Sequence, residues 1–463
     1  MVTGSWLKRA VRRTALGLAM ASVGCGLWSG AWTVPPAAAQ QRREPLQFIR
    51  DAEIENIIRG FARPLFAAAA IDADSVDIVL VRDPSLNAFV AGGMNIFIHT
   101  GLLADADDAS QLIGVIAHET GHIAGGHLIR GHEAMENASA EALLAMLLGV
   151  GAAVASGQPG AGAAIITGGT EMARRSVLAF SRAQEASADA AGLSYMEQAG
   201  LSARGLGAFL QKLAGQELLP ADRQAAYTRT HPLTRDRIDT IQAHLARSRY
   251  SAAPVPPQIT AQFERMKAKL IGFINPQLAL RRYRAEDRAI AARYGRAVAL
   301  YQEGEIKAAL PAIDSLIAEE PRNPYFQELK GQVLLENRRI VDSLPFYRRS
   351  VELLPDSGLL RAALAQALLE TNTPALIDEA LKHLEAARHQ EKNSPFVWRL
   401  FATAWGRKGQ DGLVAYALAE EALARGDRAM ARHQADRAER MLPPGSPGWL
   451  RAQDIRGAAG ERR

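Results

Sequence analysis

The sequence predicts a mainly α-helical chain whose first half is α+β: a small sheet feeds a helix bearing a metal-ligand pattern, and an array of helix pairs follows. Three observations carry this. β-rich runs are confined to residues 75–100, His118 and His122 stand four apart inside an apolar helical pattern, and beyond residue 257 proline and glycine recur at intervals of 34 and 17.

With 463 residues, 48% of them apolar, the chain has material for two or three domains. Its first 39 residues differ from the rest. Lys8, Arg9, Arg12 and Arg13 precede an apolar run from Thr14 to Trp28, and Ala37-Ala38-Ala39 closes the segment. That order describes an export signal cut before Gln40, with an uncleaved anchor as the alternative for a short, Gly-broken run. The single cysteine, Cys25, falls inside it, so the mature chain has neither disulfides nor thiolate ligands. Ser22 stands three before Cys25, where a lipoprotein would need an aliphatic residue. The formal charge of +5 also largely belongs to the signal: 54 basic residues less its four leaves 50 against 49 acidic ones, which gives no footprint for nucleic acid.

Residues 40–251 read as the catalytic domain. Ile54, Ile57, Ile58, Phe61 and Leu65 have the spacing of one amphipathic helix. Ser75–Val81, Ala88–Val90 and Asn95–Thr100 are strand-like and separated by Pro84 and Gly92-Gly93. The next helix begins near Asp107-Asp108, whose carboxylates suit a helix N-terminus, and runs through Leu112, Ile113, Ile116 and Ile123. Residues 143–169 hold two apolar segments of about a dozen residues around Gly157, each too short to span a bilayer alone; a buried hairpin and a membrane-facing flap both fit. A further helix is expected over 171–199. The Pro-rich run 252–257 marks a boundary, and 252–286 reads as a linker.

Beyond it the chain turns Ala- and Leu-rich. Pro321 and Pro355 lie 34 apart, Gly304 and Gly426 precede Pro321 and Pro443 by 17, and Ala309, Gly331, Tyr347, Trp398 and Gly409 are the residue types of tetratricopeptide helix pairs. Arg338 stands where a glycine is expected, and Asn372-Thr373-Pro374 lengthens one repeat. Residues 287–450 thus form an α-solenoid of about four degenerate repeats, with 451–463 as a tail.

The chemistry sits in His118-Glu119-Thr120-Gly121-His122. Histidines four apart project from one helix face and can bind one metal ion through neutral imidazoles. Glu119 beside them can take a proton from a water that the metal acidifies and later pass it to the leaving amine. Imidazole and carboxylate donors, with no redox step to perform, favour zinc, one ion per chain. By chance the pattern arises in roughly one in a hundred chains of this composition, so two merely solvated histidines are a weak alternative.

A third ligand is required. Leu128 occupies the position, three after Gly125, where one pattern puts a third histidine; His127 comes a residue early and reads as supporting the site or the fold. Glu185, in Ser181–Asp189, is the better candidate, although without the upstream motif it would read as an ordinary surface acid. Asp189, one turn on, can bond the free ring nitrogen of a ligand histidine. His231 and Arg237 are candidate donors to the charged intermediate; a histidine before proline can equally be a turn residue.

Taken together, the sequence resembles the zinc endopeptidases of the HtpX and Oma type, and within them the secreted branch with a tetratricopeptide tail. The resemblance rests on Asn87-Ala88-Phe89 with Gly101-Leu102-Leu103, on His118 to His122 continuing to His127, on Ser181-Arg182 with Glu185, Ala188 and Asp189, and on Thr230-His231-Pro232 with Arg237. It implies a zincin domain of gluzincin-like type with His118, His122 and Glu185 as zinc ligands and Glu119 as catalytic base. It also implies that His231 blocks or assists the metal, and that the strand Phe89, Val90, Ala91, Gly92, Gly93 pairs with extended substrate. For partners it implies unfolded or misassembled proteins and, through the repeats, the outer-membrane β-barrel assembly machinery; for location, the periplasm, with peripheral membrane contact left open. The rival is a chaperone or adaptor with a latent metal domain. An integral membrane protease is disfavoured, since no segment after the signal approaches 18 uninterrupted apolar residues.

Overall fold

The computed structural model describes residues 47–127, 181–214, 227 and 230–460. The expected signal (1–39) and the apolar pair of segments at 143–169 lie outside the described residues. Strand β1 (Phe48–Ile49) leads into α1 (Ala52–Ala68), opened by Asp51, whose side chain accepts the Ile54 N–H. Strands β2 (Asp77–Val81), β3 (Ala88–Ala91) and β4 (Asn95–His99) follow, then α2 (Thr100–Asp105) and α3 (Ala109–Ala124). Residues 181–198 form α4, and α5 (Arg204–Ala214) and α6 (Arg235–Arg247) come next.

The sheet has strand order β1-β2-β4-β3; β2 and β4 run parallel and the other pairs antiparallel. One face packs Ile78, Leu80, Ile96, Ile98 and Ala88 into a core with α1, α3 and α5. Among the described residues β3 pairs with β4 alone and so forms an open edge.

Residues 252–286, expected to link two domains, contain α7 (Pro257–Ile274) and α8 (Pro276–Arg282). Phe263, Met266, Leu270 and Ile271 of α7 are buried, and this helix packs on α1, α2 and α3 on one side and on α9 (Ile290–Gln302) on the other. Pro256 and Pro257 mark its start, where a missing N–H costs nothing, and apolar spacing makes it a shared core element.

Helices α10 (Ile306–Glu319), α11 (Pro324–Glu336), α12 (Ile340–Leu353), α13 (Gly358–Glu370), α14 (Ile377–Ala387), α15 (Pro395–Arg407), α16 (Asp411–Ala424), α17 (Arg428–Met441) and α18 (Pro447–Gly460) continue the repeated arrangement. Gly304, Gly409 and Gly426 end helices in the left-handed region, and Arg338 and Asn372 adopt the same conformation at φ 63° and 55°. The irregular repeat inserts a 3-10 turn at Pro374–Leu376. No helix among the described residues is long and apolar enough to cross a membrane.

Candidate metal centre and peptidase site

Helix α3 starts where Asp108 caps the Ser110 and Gln111 N–H groups. Its third and fourth turns carry His118 and Glu119, fully buried, and His122, whose side chain keeps 12% of its surface. Helix α4 lies close against it because both helices are bare at the crossing. A Cβ on Gly121 would stand 2.5 Å from the Ala188 carbonyl oxygen, and one on Gly192 would stand 2.9 Å from that of Ala117. This approach brings Glu185 and Asp189 of α4 under the two histidines.

Donor atoms of His118, His122, Glu185 and His231 all lie within 4.8 Å of one another. His118 Nε2 is 3.0 Å from His122 Nε2 and 3.3 Å from Glu185 Oε2, and Glu185 Oε1 is 3.3 Å from His122 Nε2. His231 turns Nδ1 toward the cluster, 3.1 Å from Glu185 Oε1 and 3.3 Å from His118 Nε2. Its Nε2 meets the Ala88 carbonyl at 3.2 Å and lies 3.5 Å from Glu119 Oε1. Neither Glu119 oxygen has a hydrogen-bond partner, although both are buried. Convergent imidazole and carboxylate donors beside an unsatisfied buried carboxylate fit a divalent cation with a polar molecule next to it.

Asp189 Oδ1 accepts from His118 Nδ1 at 2.8 Å, so Nε2 is the ring nitrogen turned toward the cluster. Arg237, at the start of α6, donates Nε and Nη2 to Asp189 at 2.6 and 2.9 Å and Nη1 to the Pro232 carbonyl at 3.1 Å, with Nη1 also 2.9 Å from Glu185. Arg237, a candidate donor to the charged intermediate, thus directs its fork to Asp189 and Glu185. His127 Nδ1 stands 3.0 Å from His122 Nδ1, and the His127 carbonyl accepts from Gln184.

Electrostatics follow from these contacts. Burial works against a charged His118, but the Asp189 and Glu185 bonds outweigh it and raise its pKa to about 9. His122 moves down, chiefly by burial. Burial would raise Glu185 and Asp189, yet the histidines around the first, and His118 with Arg237 around the second, hold both below the usual carboxylate range.

Tyr227 belongs to this site and was not singled out from the sequence. Its ring stacks on His231 at 4.6 Å, and the His231 N–H bonds the Tyr227 carbonyl at 2.7 Å. The helical spacing of four between Tyr227 and His231 was the available signal. Strand β3 borders the site through Ala88. Phe89, Val90 and Ala91 continue the edge, and Gly92 and Gly93, both at positive φ, turn it toward β4.

Residues 49–245 match the Peptidase family M48 pattern. The chain is 26% identical over 379 residues to the beta-barrel assembly-enhancing protease of Yersinia pestis, covering 80% of this chain and 76% of that protein. It is 26% identical over 380 residues to the protein of the same name in Escherichia coli K12, covering 79% and 74%. Metalloprotease LoiP of Escherichia coli K12 is 27% identical over 178 residues, covering 38% of this chain and 65% of that protein. The match over residues 49–245 and the likeness to these proteases make the chain a metalloprotease.

Proposed function

We propose that the chain is a zinc endopeptidase of the periplasm that cuts unfolded or misassembled proteins, with Glu119 as general base. The observation that carries this is the buried, unsatisfied Glu119 carboxylate beside four converging donors. His118, His122 and Glu185 would hold the ion, and zinc suits the donor set. Bound zinc supplies a Lewis acid that polarises the scissile carbonyl and acidifies a neighbouring water.

The chain's own groups do the rest. Glu119 accepts the proton of the attacking water and returns it to the leaving amine. Asp189 fixes the tautomer and ring angle of His118, and Arg237 braces both Asp189 and Glu185. Substrate lies as an added strand on β3. Asn87 O accepts the His99 N–H toward β4, so by alternation Ala88 and Val90 turn their peptide groups outward, toward that substrate.

Outer-membrane protein quality control is the proposed setting, supported by the name of the relatives and by the leader-like segment 1–39. The repeats would recruit substrates or the β-barrel assembly machinery. A cavity of about 450 Å³ among them, walled by Trp398, Tyr416, Arg388 and Arg451, offers one contact point.

A second reading, a latent protease acting as a chaperone, is favoured by one observation: His231 occupies both the fourth donor position and the Ala88 carbonyl that a substrate strand would use. Metal content and casein cleavage, measured on the chain from Gln40 and on its Glu119→Gln variant, separate the readings. One zinc per chain in both, with activity only in the former, is expected. Zinc in both without activity in either supports latency, and no zinc in either overturns the proposal.

A further inference from the structure

The sheet face turned away from the core carries an aromatic row that ends at the open edge. In the register of the strands, Phe89 of β3 is paired with Phe97 of β4, and Phe97 with Val79 of β2. The Phe89 and Phe97 rings stack at 5.0 Å and 7°, and Phe48 of β1 lies 6.3 Å from Phe97. Phe48 keeps 49% of its surface exposed, and Phe89, Phe97 and Val79 are only partly buried. The core does not require these rings, since their neighbours Ala88, Ile96, Ile98 and Ile49 fill the opposite face.

Resting on the edge-strand reading above, we propose that this row is a specificity surface, with Phe89 selecting a large aromatic or β-branched side chain at the substrate position facing it. The occupant is an extended polypeptide strand, and register is the reason. A chain added to β3 continues the sheet, so its side chains alternate between faces and one of them extends the row Val79, Phe97, Phe89. Because Ala88 and Val90 turn their peptide groups outward, the substrate residue opposite Phe89 in an antiparallel arrangement occupies a non-hydrogen-bonded pair, where side chains approach most closely. Aromatic and β-branched partners gain most from such a pair.

Among the described residues the core face offers no equivalent: Ala88 is small and buried, and Val90 alone of the β3 edge packs against the core beside it. The site would therefore read one residue in two. The preferred substrate is a segment with alternating pattern, apolar on the face continuous with Phe89, which is the pattern of a β-strand that has failed to find its own sheet.

Cleavage-site profiling of the zinc-loaded full chain on a peptide library, mapped by mass spectrometry, tests this against Phe89→Thr and Phe97→Thr, which keep strand-forming residues in place. The wild-type protein should enrich aromatic and β-branched residues about five- to tenfold at one fixed distance from the cut and at the position two residues away. Phe89→Thr should erase the enrichment at the first position, and Phe97→Thr should weaken it. Unchanged profiles in both variants would overturn the specificity surface. A companion series with single N-methylated peptide bonds separates this from failure of the edge-strand reading. Methylation of alternate bonds should block cleavage, and tolerance of it at every position, or a library left wholly uncut, would sink the strand reading and this inference with it.

Discussion

Asp189 never reaches the cluster of donor atoms, yet it governs two residues that do. It accepts a hydrogen bond from His118 Nδ1 at 2.8 Å and holds Arg237, which stands in turn 2.9 Å from Glu185. Replacement by Asn keeps the shape but removes a buried negative charge. Arg237 is then left with Glu185 as its one carboxylate, and the pull on Glu185 opposes ligation. Asp189→Asn should weaken zinc about 10–100-fold, as supporting residues of metal sites commonly do, in competition with a chromophoric chelator. An affinity equal to that of the parent chain would show that His118 needs no such brace. The proximity of His118 to His122 could be read from four-residue spacing alone, because a helix fixes it locally. The partners of Arg237 could not be, since they depend on how α6 packs against α4.

At the scale of elements, the site exists because α3 and α4 meet at Gly121, Ala188, Ala117 and Gly192, residues small enough for backbone to touch backbone. Gly121→Ala puts a methyl group 2.5 Å from the Ala188 carbonyl oxygen, and that oxygen cannot swing away without moving the helix. The variant should lose about 1–3 kcal/mol of stability, and it should bind zinc less tightly because Glu185 rides on the displaced helix. Equilibrium denaturation with and without metal reads both effects, and an unshifted apo midpoint would refute the close contact. Most elements announced themselves. Asp108 is a capping residue in front of an apolar helix, and the alternating runs at 77–81 and 95–99 are strands. What stayed hidden was short or shared: two-residue β1 has no periodicity to detect, and α7 sits behind a proline run that resembles a linker. Arg338, read as a departure from a glycine position, keeps the glycine-like backbone at φ 63°, so the repeat geometry survives its own exception.

For the molecule as a whole, the first turn of α1 is gripped by the helices that follow the peptidase domain. Lys269 of α7, fully buried, lies 2.9 Å from Asp51 and 3.3 Å from Glu53, while Arg265 and Tyr294 bond Glu53 at 2.8 and 2.7 Å. Burial opposes the charge on Lys269, but Asp51, Tyr294 and Glu53 keep it protonated well above the usual range, and Lys269 in turn outweighs burial to hold Asp51 down. At the rim, Arg50 bonds Glu391 of the repeats at 2.8 and 2.9 Å with 44% of its side chain still exposed. The two contacts should differ sharply in weight. Lys269→Met leaves Asp51 without its cation in the interior and should cost about 3–5 kcal/mol. Arg50→Ala, which at the rim leaves the largely buried Glu55 and Glu391 without their shared cation, should cost less, about 1–2 kcal/mol. Because β1 and α1 join the gripped segment to the sheet, the Lys269→Met variant should also lose peptidase activity at temperatures where Arg50→Ala retains it. Thermal unfolding and cleavage followed over the same temperatures check this, and equal losses in the two variants would mean that the buried charges do not hold the repeats to the catalytic domain.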